Sequence, residues 1–182
     1  MGRRSEVVEF AILGLLHDGP MHGYVLRKHL VGVLGGGLIS YGSLYPALKR
    51  LVLQGLIVEH ADSPETGRSK VSYELTAEGK ERFQSALGDS GPDSWEDDRF
   101  NVRLAFFGRT DADVRLRILE GRRARLEERK SSIRSAVNRM NERIDGWSAE
   151  LHRHGLEAVE REVRWLDELI RGQHENNQKG SQ

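Results

Sequence analysis

The sequence predicts a mainly α protein in two parts: a small N-terminal domain of helices with one β-hairpin, and a C-terminal domain of long helices. Short segments with helical apolar spacing fill residues 5–88, interrupted only by two β-type runs. Residues 88–98 are rich in Gly, Asp, Ser and Pro, the composition of a boundary. From Leu116 to Leu151 apolar residues recur at seven-residue spacing. The predicted organisation is a domain at 1–88, a linker with a short helix at 89–110, and a helical dimerisation domain at 111–182.

Taken in order, residues 5–17 are apolar nearly all round, as a buried helix is. After the turn Asp18-Gly19-Pro20, a second helix is expected from Met21 to Leu34, with Leu26, Leu30 and Val33 on one face and Gly35-Gly36-Gly37 stopping it. Ser43 is placed as the N-cap of a third helix, with Pro46 in its first turn, where a missing N–H costs least. Leu44, Leu48 and Leu51 line its inner face, and Gly55 ends it. Two strands follow, Leu56–His60 and Val71–Leu75, the second alternating cleanly. Ala61–Lys70 between them is a long hairpin tip, and Thr76 caps a fourth helix reaching Leu87. A short apolar helix carries Phe100, Leu104, Phe106 and Phe107.

In the second half one heptad position holds Leu119, Leu126, Ile133, Met140 and Trp147, and another holds Leu116, Arg123, Lys130, Val137, Ile144 and Leu151. This is a coiled-coil seam with two cationic interruptions. A break is expected at His154-Gly155, then a last helix with Leu156, Val159, Val163, Leu166 and Ile170 on one face, and a frayed polar tail from Gly172. Arg123 and Lys130 are read as polar packing, or a splay toward solvent, with Glu127 and Glu128 nearby, ahead of an anion site or a register-setting device.

Composition excludes several classes. The absence of cysteine removes disulfide scaffolds, thiolate zinc sites and thiol nucleophiles together. Charges balance, 28 Lys and Arg against 28 Asp and Glu, so any nucleic-acid partner must be held by a local basic patch. The apolar run Val7–Leu16 is far shorter than the roughly 20 residues a membrane span needs, and no cleavage signal follows it. Glu6 stands where myristoylation requires Ser or Thr. Gly35–Gly37 lacks the Gly-Lys-Ser/Thr of a phosphate loop, and His152 and His154 have no partner at a metal spacing. No cofactor, metal or catalytic residue is expected.

The order helix, helix, helix, strand, wing, strand, helix is that of a winged helix-turn-helix. A helix of this kind fits the major groove, about 12 Å wide, while a basic hairpin reaches phosphates. The expected DNA contacts are Ser40, Tyr41, Ser43, Tyr45, Lys49 and Arg50 on or before the third helix, and Arg68 and Lys70 on the wing. Hydroxyls and N–H groups at a helix start are natural phosphate ligands. Tyr24 and Tyr45 are equally suited to the core.

At His22-Gly23-Tyr24, Gly42-Ser43-Leu44-Tyr45-Pro46-Ala47-Leu48, Gly55-Leu56-Ile57, Gly67-Arg68 and Tyr73-Glu74-Leu75-Thr76-Ala77-Glu78-Gly79 the chain resembles the PadR family of transcriptional regulators. Ser43 replaces the family's usual Thr and keeps the hydroxyl. Residues Ala158 to Leu169, with Trp165-Leu166, resemble the last helix of the larger subfamily. The resemblance implies a cytoplasmic homodimer built by C-terminal helices, a double-stranded DNA operator, and repression relieved by a small-molecule effector. Leu119, Leu126, Ile133, Val137, Met140, Ile144, Trp147 and Leu166 are the expected dimerisation residues. Trp95, Phe106, Trp147 and Trp165 are candidates for a planar or apolar effector, with seam packing as their simpler role. A winged-helix protein-interaction module without DNA binding is the alternative, and an enzyme is disfavoured because no nucleophile–base pair or cofactor motif is present.

Overall fold

The computed structural model describes residues 2–35, 41–61, 71–139 and 146–180. Its elements are α1 (Arg3–Leu16), β1 (Met21–His22), α2 (Gly23–Leu34), α3 (Tyr41–Leu53), β2 (Ile57–Ala61), β3 (Val71–Leu75), α4 (Ala77–Gly88), α5 (Asp97–Ala105), α6 (Ala112–Arg139) and α7 (Gly146–Gly180). They form two compact units, residues 1–89 with 97–110, and residues 90–96 with 111–182. The linker of the sequence reading is thus divided between them.

In the first unit α1 is the central post. Val7, Val8, Ala11, Ile12, Leu15 and Leu16 are all buried, so it packs on several sides at once. Leu26, Leu30 and Leu34 of α2 and Leu44, Ala47, Leu48 and Leu51 of α3 close around it. The buried residue at the end of α2 is Leu34, four positions after Leu30, rather than the expected Val33. Phe10, Phe83 and Phe106 meet edge-on or tilted, with ring centroids 5.2–5.6 Å apart.

The sheet is antiparallel, with β3 in the centre and the order β1-β3-β2. Ile57 pairs with Leu75 and Ala61 with Val71, so the hairpin keeps Ile57, Tyr73 and Leu75 inward. Met21 and His22 pair with Tyr73 and Ser72 instead of opening α2. A strand of two residues has no pattern of its own to read; its partner defines it. After α3, Gly55 takes a left-handed φ of 69°. This lets Leu56 N–H donate to the Leu51 carbonyl and Gly55 N–H to that of Val52, both at 2.9 Å. Thr76 caps α4 by accepting from Gly79 N–H at 3.0 Å, and its hydroxyl donates to the Gly55 carbonyl at 2.7 Å.

In the second unit α6 and α7 form an antiparallel hairpin. Arg115 bonds Gln173, Arg123 bonds Asp167, and Arg134 bonds Glu160, so partners descend in α7 as they ascend in α6. Ile118, Leu119 and Leu126 are buried with Val159, Val163 and Leu166. Burial fades along α6: Ile133 is half-buried and Val137 exposed.

Two boundaries differ from expectation. α7 runs unbroken through His154-Gly155, and it continues to Gly180 where a frayed tail was expected. A helical Gly costs only about 1 kcal/mol, and burial of Val159, Val163 and Leu166 outweighs it. Among the described residues α6 ends at Arg139 and α7 starts at Gly146. The two seam cations are paired, Arg123 with Asp167 of α7 and Lys130 with Glu127.

Candidate nucleic-acid interface

α3 divides its residues sharply between core and solvent. Leu44, Ala47, Leu48 and Leu51 are 0–1% exposed. Tyr45, Lys49 and Leu53, spaced by four, form a stripe open to water, with Tyr45 48% and Leu53 76% exposed. Lys49 makes no ion pair among the described residues, so its charge is available to a partner. Ser43, six residues before it, is half-buried.

Three readings of this helix change. α3 begins at Tyr41, so Ser43 lies within the first turn and is not the N-cap. Pro46 is the sixth helical residue, where it removes the N–H that would reach the Gly42 carbonyl. Both residues are exposed, and water can satisfy that carbonyl. Arg50, expected at the DNA, is bonded within the domain. Its Nε donates to Glu9 Oε1 at 2.8 Å, and a second guanidinium nitrogen donates to Ser5, which itself donates to Glu9 at 3.0 Å. Arg50 thereby ties α3 to α1.

Residues that the sequence reading left undecided or unused stand beside this stripe. Tyr24 of α2 is 71% exposed, and Lys28, one turn on, is exposed as well. His22, Gly23 and Tyr24 line one cavity of about 420 Å³ with Val25, Tyr45, Val71 and Tyr73. Two separate sequence motifs, His-Gly-Tyr and Ser-Leu-Tyr-Pro, therefore meet at one place. Tyr73 closes its floor; burial, then the nearby Glu59 carboxylate, raises its hydroxyl above the usual phenol range. The exposed Tyr24 could have been found from the helical spacing that places it outside the Leu26–Leu30 face.

Arg68 and Lys70 fall between β2 and β3 in the sequence. Those two residues and Ser40 lie outside the described residues, as do Met140 and Ile144. Tyr41 is in the first turn of α3.

The four aromatic candidates for an effector are not assembled in one unit. Phe106 is a core residue of the first, 4% exposed, its ring filling the space over Gly14 where a Cβ would overlap it. Trp95, Trp147 and Trp165 belong to the second unit. The Trp95 ring lies on Gly121 of α6, and its carbonyl accepts from Arg122 at 2.7 Å. Arg122 is itself buried and bonded to Glu162. Trp165 is 39% exposed and Trp147 85%. Aromatic composition did not distinguish core, clasp and open surface. Among the described residues no cluster of His, Asp or Glu could hold a metal, and no helix is long and apolar enough to cross a membrane.

An α3 with one buried and one open face, followed by a hairpin, gives the first unit a winged helix-turn-helix fold. Residues 12–85 match the transcriptional regulator PadR-like family. The chain is 33% identical over 82 residues to the negative transcriptional regulator PadR of Bacillus subtilis (strain 168). That match covers 44% of this chain and 45% of the relative, so the chain spans about half the length of the curated relative it matches. Among solved structures it is similar to Bacillus subtilis PadR in complex with operator DNA, with 23% identity and a TM-score of 0.45, over 92% of this chain and 99% of that one. It is also similar to a PadR family transcription regulator from Clostridium difficile R20291, with 26% identity and a TM-score of 0.39, over 43% of this chain and 81% of that one.

Proposed function

We propose that this PadR-like regulator is a repressor that binds an inverted-repeat operator as a homodimer in the cytoplasm and answers to a small-molecule effector. The observation that carries DNA binding is the open stripe of α3, where Tyr45 and Lys49, which has no ion pair among the described residues, stand on a helix whose opposite face is fixed in the core. Lys49 contacts a phosphate or a base edge, with Tyr45 and Ser43 beside it, and Ser40 and Tyr41 approach the backbone at the helix start. Arg68 and Lys70 hold phosphates from the wing. In a chain without net charge these few cations supply the local attraction. Repression is the role named for the Bacillus subtilis relative.

Dimerisation is supported by the apolar surface of the second unit. Leu119, Leu126 and Leu166 are used within the α6–α7 hairpin, leaving Val137, Trp147 and Leu151 exposed at 42%, 85% and 69%. Trp147 and Leu151 share a helix face one turn apart.

The test is a gel-shift with the DNA upstream of the protein's own gene, across a salt series. The intact protein should bind, and the Lys49→Ala/Arg68→Ala/Lys70→Ala variant should lose binding while keeping its fold and assembly. Normal binding by that variant would remove the assignment. Absence of any DNA binding would favour a protein-interaction module.

A further inference from the structure

Between Asp18 and Glu59 the sequence has no acidic residue, while Arg27, Lys28, Lys49 and Arg50 all fall inside that stretch. The α2–α3 pair is therefore a local cationic surface on a chain without net charge. The cavity of about 420 Å³ is bounded by these two helices and β3. Tyr24 and Tyr45 stand exposed at its rim. Each precedes by one helical turn an exposed lysine, Lys28 on α2 and Lys49 on α3, that has no ion pair among the described residues. The lining between the two tyrosines is Val25, Val71 and Tyr73, with His22 and Gly23 at the start of α2, and no Lys, Arg, Asp or Glu contributes to it. The Glu59 carboxylate lies behind it, at the Tyr73 hydroxyl.

We propose that this cavity receives the C5-methyl of an operator thymine, with the ring edge that carries it, so that Tyr24 and Tyr45 determine sequence preference. The inference rests on the DNA-binding reading above and adds to it the base that is read. The two lysines, one turn beyond the two tyrosines, draw a duplex across the mouth of the cavity. Its lining then decides what enters. A phosphate would give up water for walls without a cation and would approach Glu59. A base edge of donors and acceptors would lose its hydrogen bonds against Val25 and Val71. The thymine methyl is the apolar group that the major groove displays, and the aromatic and β-branched walls meet it on several sides. Phosphate contacts by cations position a protein without carrying sequence information; the cavity supplies that information.

The experiment footprints the full chain on the DNA upstream of its own gene, then measures affinity for the protected site by fluorescence anisotropy. Each thymine is replaced in turn by deoxyuridine, which keeps the base pair and removes the methyl. Replacement at one position of the half-site should weaken binding about fourfold per half-site, the loss expected when one methyl group is returned to water. At that position a 5-methylcytosine·guanine pair should bind more tightly than cytosine·guanine. Gly23→Ala puts a methyl of the protein into the cavity, 3.5 Å from the Tyr73 ring and 3.8 Å from the Tyr45 hydroxyl, ordinary contact distances that leave the fold in place. This variant and Tyr24→Ala should each abolish the difference between thymine and deoxyuridine, with unchanged circular dichroism. Specific binding without a methyl-sensitive position, or sensitivity that persists in both variants, would overturn the inference and leave the DNA-binding reading standing. Equal binding of the two cytosine pairs would assign the effect to something other than the methyl and overturn it as well. A footprint that shows no specific binding would overturn the DNA-binding reading itself, and this inference with it.

Discussion

Lys49 and Arg50 are adjacent in the chain, yet one step along an α-helix turns a side chain by about 100°, enough to give them opposite duties. Arg50 is 35% exposed and its partner Glu9 only 13%, so removing Arg50 strands a carboxylate that has little water of its own. Solvent around the guanidinium screens part of that loss. Arg50→Ala should therefore lower stability by about 1 kcal/mol in urea unfolding, and weaken operator binding indirectly by loosening α3. Lys49→Ala should behave in the reverse way. Its stability change should stay within about 0.5 kcal/mol. If it contacts phosphate, the plot of log affinity against log salt should flatten by about one unit per subunit; if it contacts a base, it should cost about 1–3 kcal/mol at one operator position. A large stability loss in Lys49→Ala, or none in Arg50→Ala, would show the two roles to be exchanged.

At the scale of elements, the segment at residues 90–96 is held to α6 by three contacts, which makes it more than a linker. Arg117 donates to Ser90 at 3.1 Å, Arg122 donates to the Trp95 carbonyl, and the Trp95 ring occupies the space above Gly121. On an open helix Gly121→Ala would gain about 1 kcal/mol. Here the new methyl overlaps the middle of a rigid ring, and such overpacking costs about 1–3 kcal/mol. We expect net destabilisation and a red-shifted tryptophan emission as Trp95 is lifted toward water; an unchanged spectrum with a higher melting temperature would refute the clasp. No local signal announced this contact, since Gly121 stands in a helical run and Trp95 in a Pro- and Asp-rich one. The legible elements were those that state their own periodicity, such as α3 with Leu44, Leu48 and Leu51, or β3 with Val71, Tyr73 and Leu75. The illegible ones depend on a distant partner: β1 exists through Tyr73 and Ser72, and Phe106 finds its place through Gly14. The same holds within the exposed face of α3. Tyr45 and Lys49 followed from helical spacing, whereas Glu9, which withdraws Arg50, lies 41 positions away.

At the scale of the whole molecule, stability and assembly draw on different residues. The heptad pattern of α6 serves the hairpin with α7 first, because Leu119 and Leu126 meet Val159, Val163 and Leu166 within one chain. The proposed dimer then uses what the hairpin leaves uncovered, chiefly Trp147 and Leu151 on the first turns of α7. Since both are already exposed in the single chain, Trp147→Ser with Leu151→Ser should leave far-UV circular dichroism unaltered and convert dimer to monomer in light scattering. Fully burying an aromatic or leucine side chain is worth about 1.5–3 kcal/mol, and a twofold interface uses each residue twice. The dissociation constant should accordingly rise by several orders of magnitude. Operator affinity should fall with it, because a dimer converts the second half-site into an intramolecular contact at high effective concentration. The intact protein should protect an inverted repeat with half-sites one or two helical turns apart, and the double variant should protect neither half at the same concentration. A wild-type chain that is monomeric at micromolar concentration, or a double variant that still dimerises and binds operator normally, would place the interface elsewhere.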